Sequence, residues 1–91
     1  MIQAEVTNMI KEKIWSASIQ RAAAFFRQQE DVTEESSRAF LFRSCRIDLK
    51  ELKPASMGIW AAKRVNVRFE GDDADVEEIY HRFFVQFLSL G

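Results

Sequence analysis

Few side chains in this chain have the types and spacing that chemistry requires. The single cysteine and single histidine, Cys45 and His81, could in principle pair as nucleophile and base. That requires hydrogen-bond reach and a third group to orient the imidazole, and neither residue sits in a motif that supplies one. Cys45 alternates with Ile47 and Leu49 and reads as a small core residue. His81 falls at the border of an apolar helical face. G-x-S-x-G, H-E-x-x-H and C-x-x-C do not occur, and Gly58, Gly71 and Gly91 are too scattered to cradle a phosphate. One cysteine cannot close an internal disulfide, and one histidine cannot build a multi-histidine metal site. The expectation is a protein with no catalytic residues, no metal and no cofactor.

Asp72, Asp73, Asp75, Glu77 and Glu78 form an acidic run. A calcium loop spaces its oxygen ligands around a central glycine, whereas here Gly71 precedes the acids and a helical pattern begins at once. The run reads as a helix cap and a complement to the helix dipole. The bases lie elsewhere. Between residues 38 and 68 there are eight (Arg38, Arg43, Arg46, Lys50, Lys53, Lys63, Arg64, Arg68) against Asp48 and Glu51. From residue 69 onward six acids face Arg82 alone, and residues 1–37 carry six acids and four bases. A basic island thus lies between acidic flanks. Arg46, Trp60, Arg64 and Arg68 are its candidate partner-binding residues. Arginine beside aromatic residues on an open sheet suits the paired hydrogen bonds of an acidic protein partner. It also suits phosphates with stacked bases, the nucleic-acid alternative.

The elements that must position these residues follow from periodicity. Val76, Ile79, Tyr80, Phe83, Phe84, Phe87 and Leu88 recur at helical spacing, which predicts a helix over 73–89. Val65, Val67 and Phe69 alternate with Arg64, Asn66, Arg68 and Glu70, which predicts a strand over 58–70. Residues 38–52 fit a strand through Cys45, Ile47 and Leu49, with Phe40 and Phe42 out of phase unless a bulge intervenes near Arg43 or Ser44. They also fit a helix through Phe42, Cys45, Leu49 and Leu52. The strand is preferred because the strand over 58–70 needs a partner for its amides, reached through the turn between Pro54 and Gly58. Residues 30–37 read as a polar break. Residues 2–30 read as helical with two opposed stripes. Ile2, Val6, Met9, Ile10, Ile14 and Ala17 form one; Trp15, Ile19, Ala22 and Phe26 form the other. Either the helix breaks near Trp15–Ser18, where Ser16 or Ser18 starts a new one, or its two halves meet different surfaces, one of them on another subunit.

The expected architecture is therefore one α+β domain spanning 1–91, in the order α-β-β-α, with helices on one face of an antiparallel hairpin. Two strands make a poor sheet, and eight phenylalanines with two tryptophans are a heavy load for 91 residues. Both point to a homodimer that completes the sheet, with Val6, Ile10, Ile14 and Phe87 as candidate interface residues. A net charge of −1 with 47% hydrophobic and 30% charged residues fits a soluble globule and excludes a histone-like polycation. The longest apolar run, Ala22 to Phe26, is far below the ~20 residues of a membrane span. The opening residues lack a secretory signal pattern. Together these readings predict a small cytoplasmic, non-enzymatic protein that binds itself and another macromolecule.

Overall fold

Val65, Val67 and Phe69 do alternate as strand residues, and the strand that holds them lies inside the sheet, with a neighbour on each side. The computed structural model describes residues 8–58 and 60–88, with the backbone alone at Met57 and Trp60. In chain order the elements are β1 (Asn8–Trp15), α1 (Ile19–Arg27), β2 (Val32–Ser36), β3 (Ala39–Phe42), β4 (Cys45–Met57), β5 (Trp60–Asp72) and α2 (Asp73–Leu88). The strands form one antiparallel sheet in the order β1-β5-β4-β3-β2. Both helices pack on the face that carries Val65, Val67 and Phe69. The chain is a small α+β fold, a five-stranded antiparallel sheet with two helices.

The expected α-β-β-α order gives way to β-α-β-β-β-β-α. Residues 8–15 were read as helical and are instead an edge strand. The period of two is masked because Lys11 and Lys13 occupy the core-facing positions between Met9 and Trp15. Their stems cross aromatic rings, with Lys11 Nζ 4.5 Å from the Tyr80 centroid and Lys13 Nζ 5.0 Å from that of Trp15. Of the two alternatives for residues 2–30, the break near Trp15–Ser18 is the one that occurs, between β1 and α1. Ser18 caps α1 by accepting a hydrogen bond from the Arg21 amide at 3.1 Å, and Ile19, Ala22 and Phe26 are buried as the second stripe requires. The polar break over 30–37 also forms a strand, β2, which pairs with β3.

Residues 38–52 are extended, as preferred, but as two strands. The slip that sets Phe40 and Phe42 out of phase is a turn at Arg43 and Ser44, not a bulge. Arg43 has φ of 53° and Phe42 pairs directly with Cys45. The reversal brings Phe40, Phe42, Cys45 and Ile47 to the same face, all fully buried. The five strands come from one chain, so the premise that two strands must borrow more from a second subunit does not hold.

The aromatic load is carried within the single chain. Phe83 stacks on Phe26 at 5.3 Å and on Phe87 at 4.1 Å, and meets Trp15, Phe25 and Phe69 edge-on. At ~1.5–3 kcal/mol for each large apolar side chain removed from water, this ring cluster is the main hold between the layers. Phe87, an expected interface residue, is packed among Trp15, Phe25 and Phe83 and belongs to this layer. Val6, another, lies outside the described residues.

Gly71 lets the β3–β4 turn approach β5. A Cβ there would lie 2.3 Å from the Ser44 carbonyl oxygen and 2.8 Å from the Cys45 Cα. Gly71→Ala is therefore expected to cost about 3 kcal/mol. Gly58→Ala meets nothing within 4 Å at φ of +67° and should cost about 1 kcal/mol. Urea midpoints of the two variants check the difference, and equal midpoints would contradict it.

Candidate functional site

The face of the sheet turned away from the helices carries the arginines singled out by sequence. Arg68 pairs across strands with Glu12 on β1 and Asp48 on β4, and Arg46 pairs with Glu70. The ion pairs run within strands, Arg46 Nε to Asp48 Oδ2 at 3.1 Å and Arg68 to Glu70 Oε1 at 3.1 Å. Asn66 donates to Glu12 at 2.9 Å. The basic island of the linear sequence thus becomes a lattice of alternating sign, because β1 brings Glu12 and the ladder brings Asp48 and Glu70 beside the arginines. Phe40 and Phe42 lie on the opposite, core side. Ile10 and Ile14 flank Glu12 on the outer face and are 55% and 51% exposed. They are accessible as an interface residue must be, though on a strand and not on a helical stripe.

Arg64 lies farther along β5. There β4 and β5 continue past the rest of the sheet. β1 stops pairing at Trp15 opposite Val65, and β3 pairs with β4 only as far as Asp48. The β4–β5 ladder runs on to Met57 opposite Trp60. The two strands form an arm, whose backbone holds Trp60. At its base Arg64 donates through Nε and Nη2 to the Lys53 carbonyl at 3.2 and 3.0 Å, across a register shift between Leu52 and Ala55. A groove of about 410 Å³ opens there, lined by Ile19, Leu52, Lys53, Lys63 and Arg64, with Glu51 as its carboxylate. Arg46 and Arg68 therefore share one site on the sheet, while Arg64 and the Trp60 backbone belong to another on the arm. Sequence reasoning missed Lys53, Lys63 and the arm itself. The signal was present in the length of the two apolar and small-residue stretches on either side of Gly58.

The acidic run is taken up by the fold. Asp72 accepts from the Ala74 amide at 3.0 Å. Asp75 accepts from both the amide and the hydroxyl of Ser44, Glu78 pairs with Arg43 and Glu77 with Lys11. Among the described residues no group of three His, Cys, Asp or Glu side chains could hold a metal ion. Cys45 is fully buried, and desolvation pushes its thiol up to about 11. His81 is exposed on α2. Among the described residues no helix is long and apolar enough to cross a membrane. No protein-family model matches the chain, and no curated protein shows significant similarity to it.

The Ser44 hydroxyl, then its amide and Arg43, hold the Asp75 carboxyl below its ordinary 3.8. A depressed folded pKa means a contribution present above the unfolded value and lost as pH falls through the folded one. Asp75→Asn should thus be less stable than the unaltered protein at pH 7, and the gap should narrow at an acid pH below the ordinary carboxylate value. Urea midpoints at the two pH values check this. A deficit of the same size at both would show that the charge is not what Asp75 contributes.

Proposed function

We propose that this chain is a small non-enzymatic binding protein, working as a homodimer that holds another macromolecule. The observation that supports this most is the β4–β5 arm. A strand pair extending beyond every other element spends conformational entropy without burying its own core, and a two-stranded ribbon is marginal by itself. Such an extension finds its stabilisation in a partner. The exposed Ile10 and Ile14 on β1 add apolar surface beside the charged lattice, and apolar centres with charged surrounds are the ordinary make-up of protein interfaces. Arg46 and Arg68 within that lattice, and Trp60 and Arg64 on the arm, are the proposed contact residues. Alternating charges favour a protein partner of mixed or acidic surface over a uniform polyanion. We place the protein in the cytoplasm, where a lone buried thiol stays reduced.

Light scattering should give a mass near twice 10.6 kDa, and the melting temperature should rise with protein concentration. A mass of 10.6 kDa with one melting temperature at all concentrations would end the homodimer reading.

Nucleic acid is the second reading, favoured by one observation: Lys53, Lys63 and Arg64 share the groove at the arm base with a single carboxylate. If it holds, retention on a polyanion column should weaken with salt by about 0.9 log units of affinity per log unit of salt for each phosphate engaged. Lys53→Glu with Lys63→Glu should abolish that retention. The protein-partner reading expects weak retention that the two substitutions leave unchanged.

A further inference from the structure

The sheet leaves four stretches of backbone edge without a neighbouring strand among the described residues, and three of them are blunted. On β1 the core-facing Lys11 and Lys13 lie over aromatic rings. A two-fold self-pairing that used the whole strand would set Lys11 against Lys11, Lys13 against Lys11, or Glu12 against Glu12. β2 carries Glu34 and Glu35 and is bulged between Glu34 and Ser36. β4 beyond β3 contains Pro54 inside its register shift, and the carbonyl of Lys53 is already taken by Arg64. Proline, bulges and inward lysines are the devices by which proteins keep strand edges apart.

The fourth edge has neither proline nor bulge, and a single lysine, Lys63, on the core-side face that Val65 continues. From Trp60 to Arg64, β5 has lost β1 as a neighbour and carries no proline, bulge or acid. Met57 pairs directly with Trp60, and partners three residues apart can pair only by exchanging both of their own hydrogen bonds. Alternation along β5 then sends Trp60, Ala62 and Arg64 toward β4. The N–H and C=O groups of Ala61 and Lys63 face the open side.

We propose that residues 60–64 of β5 pair antiparallel with the same segment of a second copy, about a two-fold axis at Ala62. This rests on the homodimer reading above and names its interface. The two arms become one four-stranded sheet, above the minimum at which strands support one another. Ala61 of each copy exchanges two hydrogen bonds with Lys63 of the other, four in all by symmetry. Ala62 lies opposite Ala62, and Trp60 opposite Arg64. No cation stands directly opposite a cation, which the β1 edge cannot offer. Register is limited at both ends. A shift of two residues one way runs into β1 of the other copy, which begins at the level of Val65, and the other way runs past the end of the arm. The second copy is thus selected by self-complementarity of the one edge whose two-fold register sets its lysine, Lys63, against an alanine.

Ala61→Pro removes an N–H that faces outward and leaves the β4 ladder its donors. The expected result is a folded protein, by circular dichroism, whose mass falls twofold, to 10.6 kDa. Ala62→Cys tests the same axis by gain. A non-hydrogen-bonded antiparallel pair brings Cα atoms about 4.5 Å apart, within disulfide range. Oxidised glutathione should therefore convert this variant to a covalent dimer, while the unaltered chain, with Cys45 buried, stays non-covalent. An Ala61→Pro protein that remains dimeric overturns the proposal and leaves the homodimer reading standing. So does an Ala62→Cys protein that forms no cross-link while dimeric. If Ala61→Pro fails to fold, the cross-link decides alone. A monomeric unaltered protein overturns both.

Discussion

The contacts of Phe83 hold the two layers together. Its ring meets Trp15 from β1, Phe25 and Phe26 from α1, Phe69 from β5 and Phe87 from its own helix. One side chain thus links the edge strand, the interior strand beside it and both helices. The consequence reaches the opposite side of the sheet. Because both helices are gathered over Phe69, Val67 and Val65, nothing among the described residues covers the outer face, and its side chains are polar or lightly apolar. The same cluster explains why Phe87 faces inward despite lying near the end of α2, and why an edge strand with two inward lysines is tolerated. Their ammonium groups sit over Tyr80, Trp15 and Phe84, so the ring layer that fills the core also receives the charges that β1 presents to it.

How legible each element was depended on whether one periodicity dominated. α2 and β5 have clean patterns of about 3.6 and 2, and both occur close to the expected limits, Asp73–Leu88 against 73–89 and Trp60–Asp72 against 58–70. β1 was illegible because its core face reads Met9, Lys11, Lys13, Trp15, so half of an alternating pattern is charged. Its outer face, Ile10 and Ile14 around Glu12, shares with Met9 a spacing that also fits a helix. β2 was illegible for a different reason. Of its residues Val32 alone is apolar, and its place in the sheet comes from β3 beside it and from Arg27 on α1, whose guanidinium meets Glu34 at 2.8 Å. Tertiary partners decide such segments, and local propensity does not.

The candidate site shows the same limit in its electrostatics. A run of bases along the chain is a one-dimensional quantity, and a sheet reads charge in two dimensions. Arg46 and Arg68 are separated from Glu70, Asp48 and Glu12 by one residue or by dozens in sequence, yet all five share a few adjacent positions once β1, β5 and β4 are in register. The acids at the start of α2 are likewise spent locally, on Ser44, Arg43 and Lys11. What survives of the basic island is the part that leaves the sheet. Lys53, Lys63 and Arg64 lie where no acidic strand runs beside them.

That displacement of charge toward the arm bears on where a partner would be met. A two-layer sandwich has three kinds of free surface: the outside of its helices, the bare face of its sheet and its edges. On the described part of α2, Val85 and Leu88 are exposed as a small i, i+3 pair beside His81 and Glu78, far smaller than a docking patch. On the sheet face the arginines are already paired within it, so a partner there would gain mainly by covering Ile10 and Ile14, with Arg46 and Arg68 contributing orientation more than affinity. The arm differs in kind. Its backbone groups on the open side have only water to bond among the described elements, so a strand laid against them replaces solvent contacts without breaking any protein contact. Association there is opposed mainly by the entropy of ordering, and the β4 ladder has already met much of that in holding β5 extended.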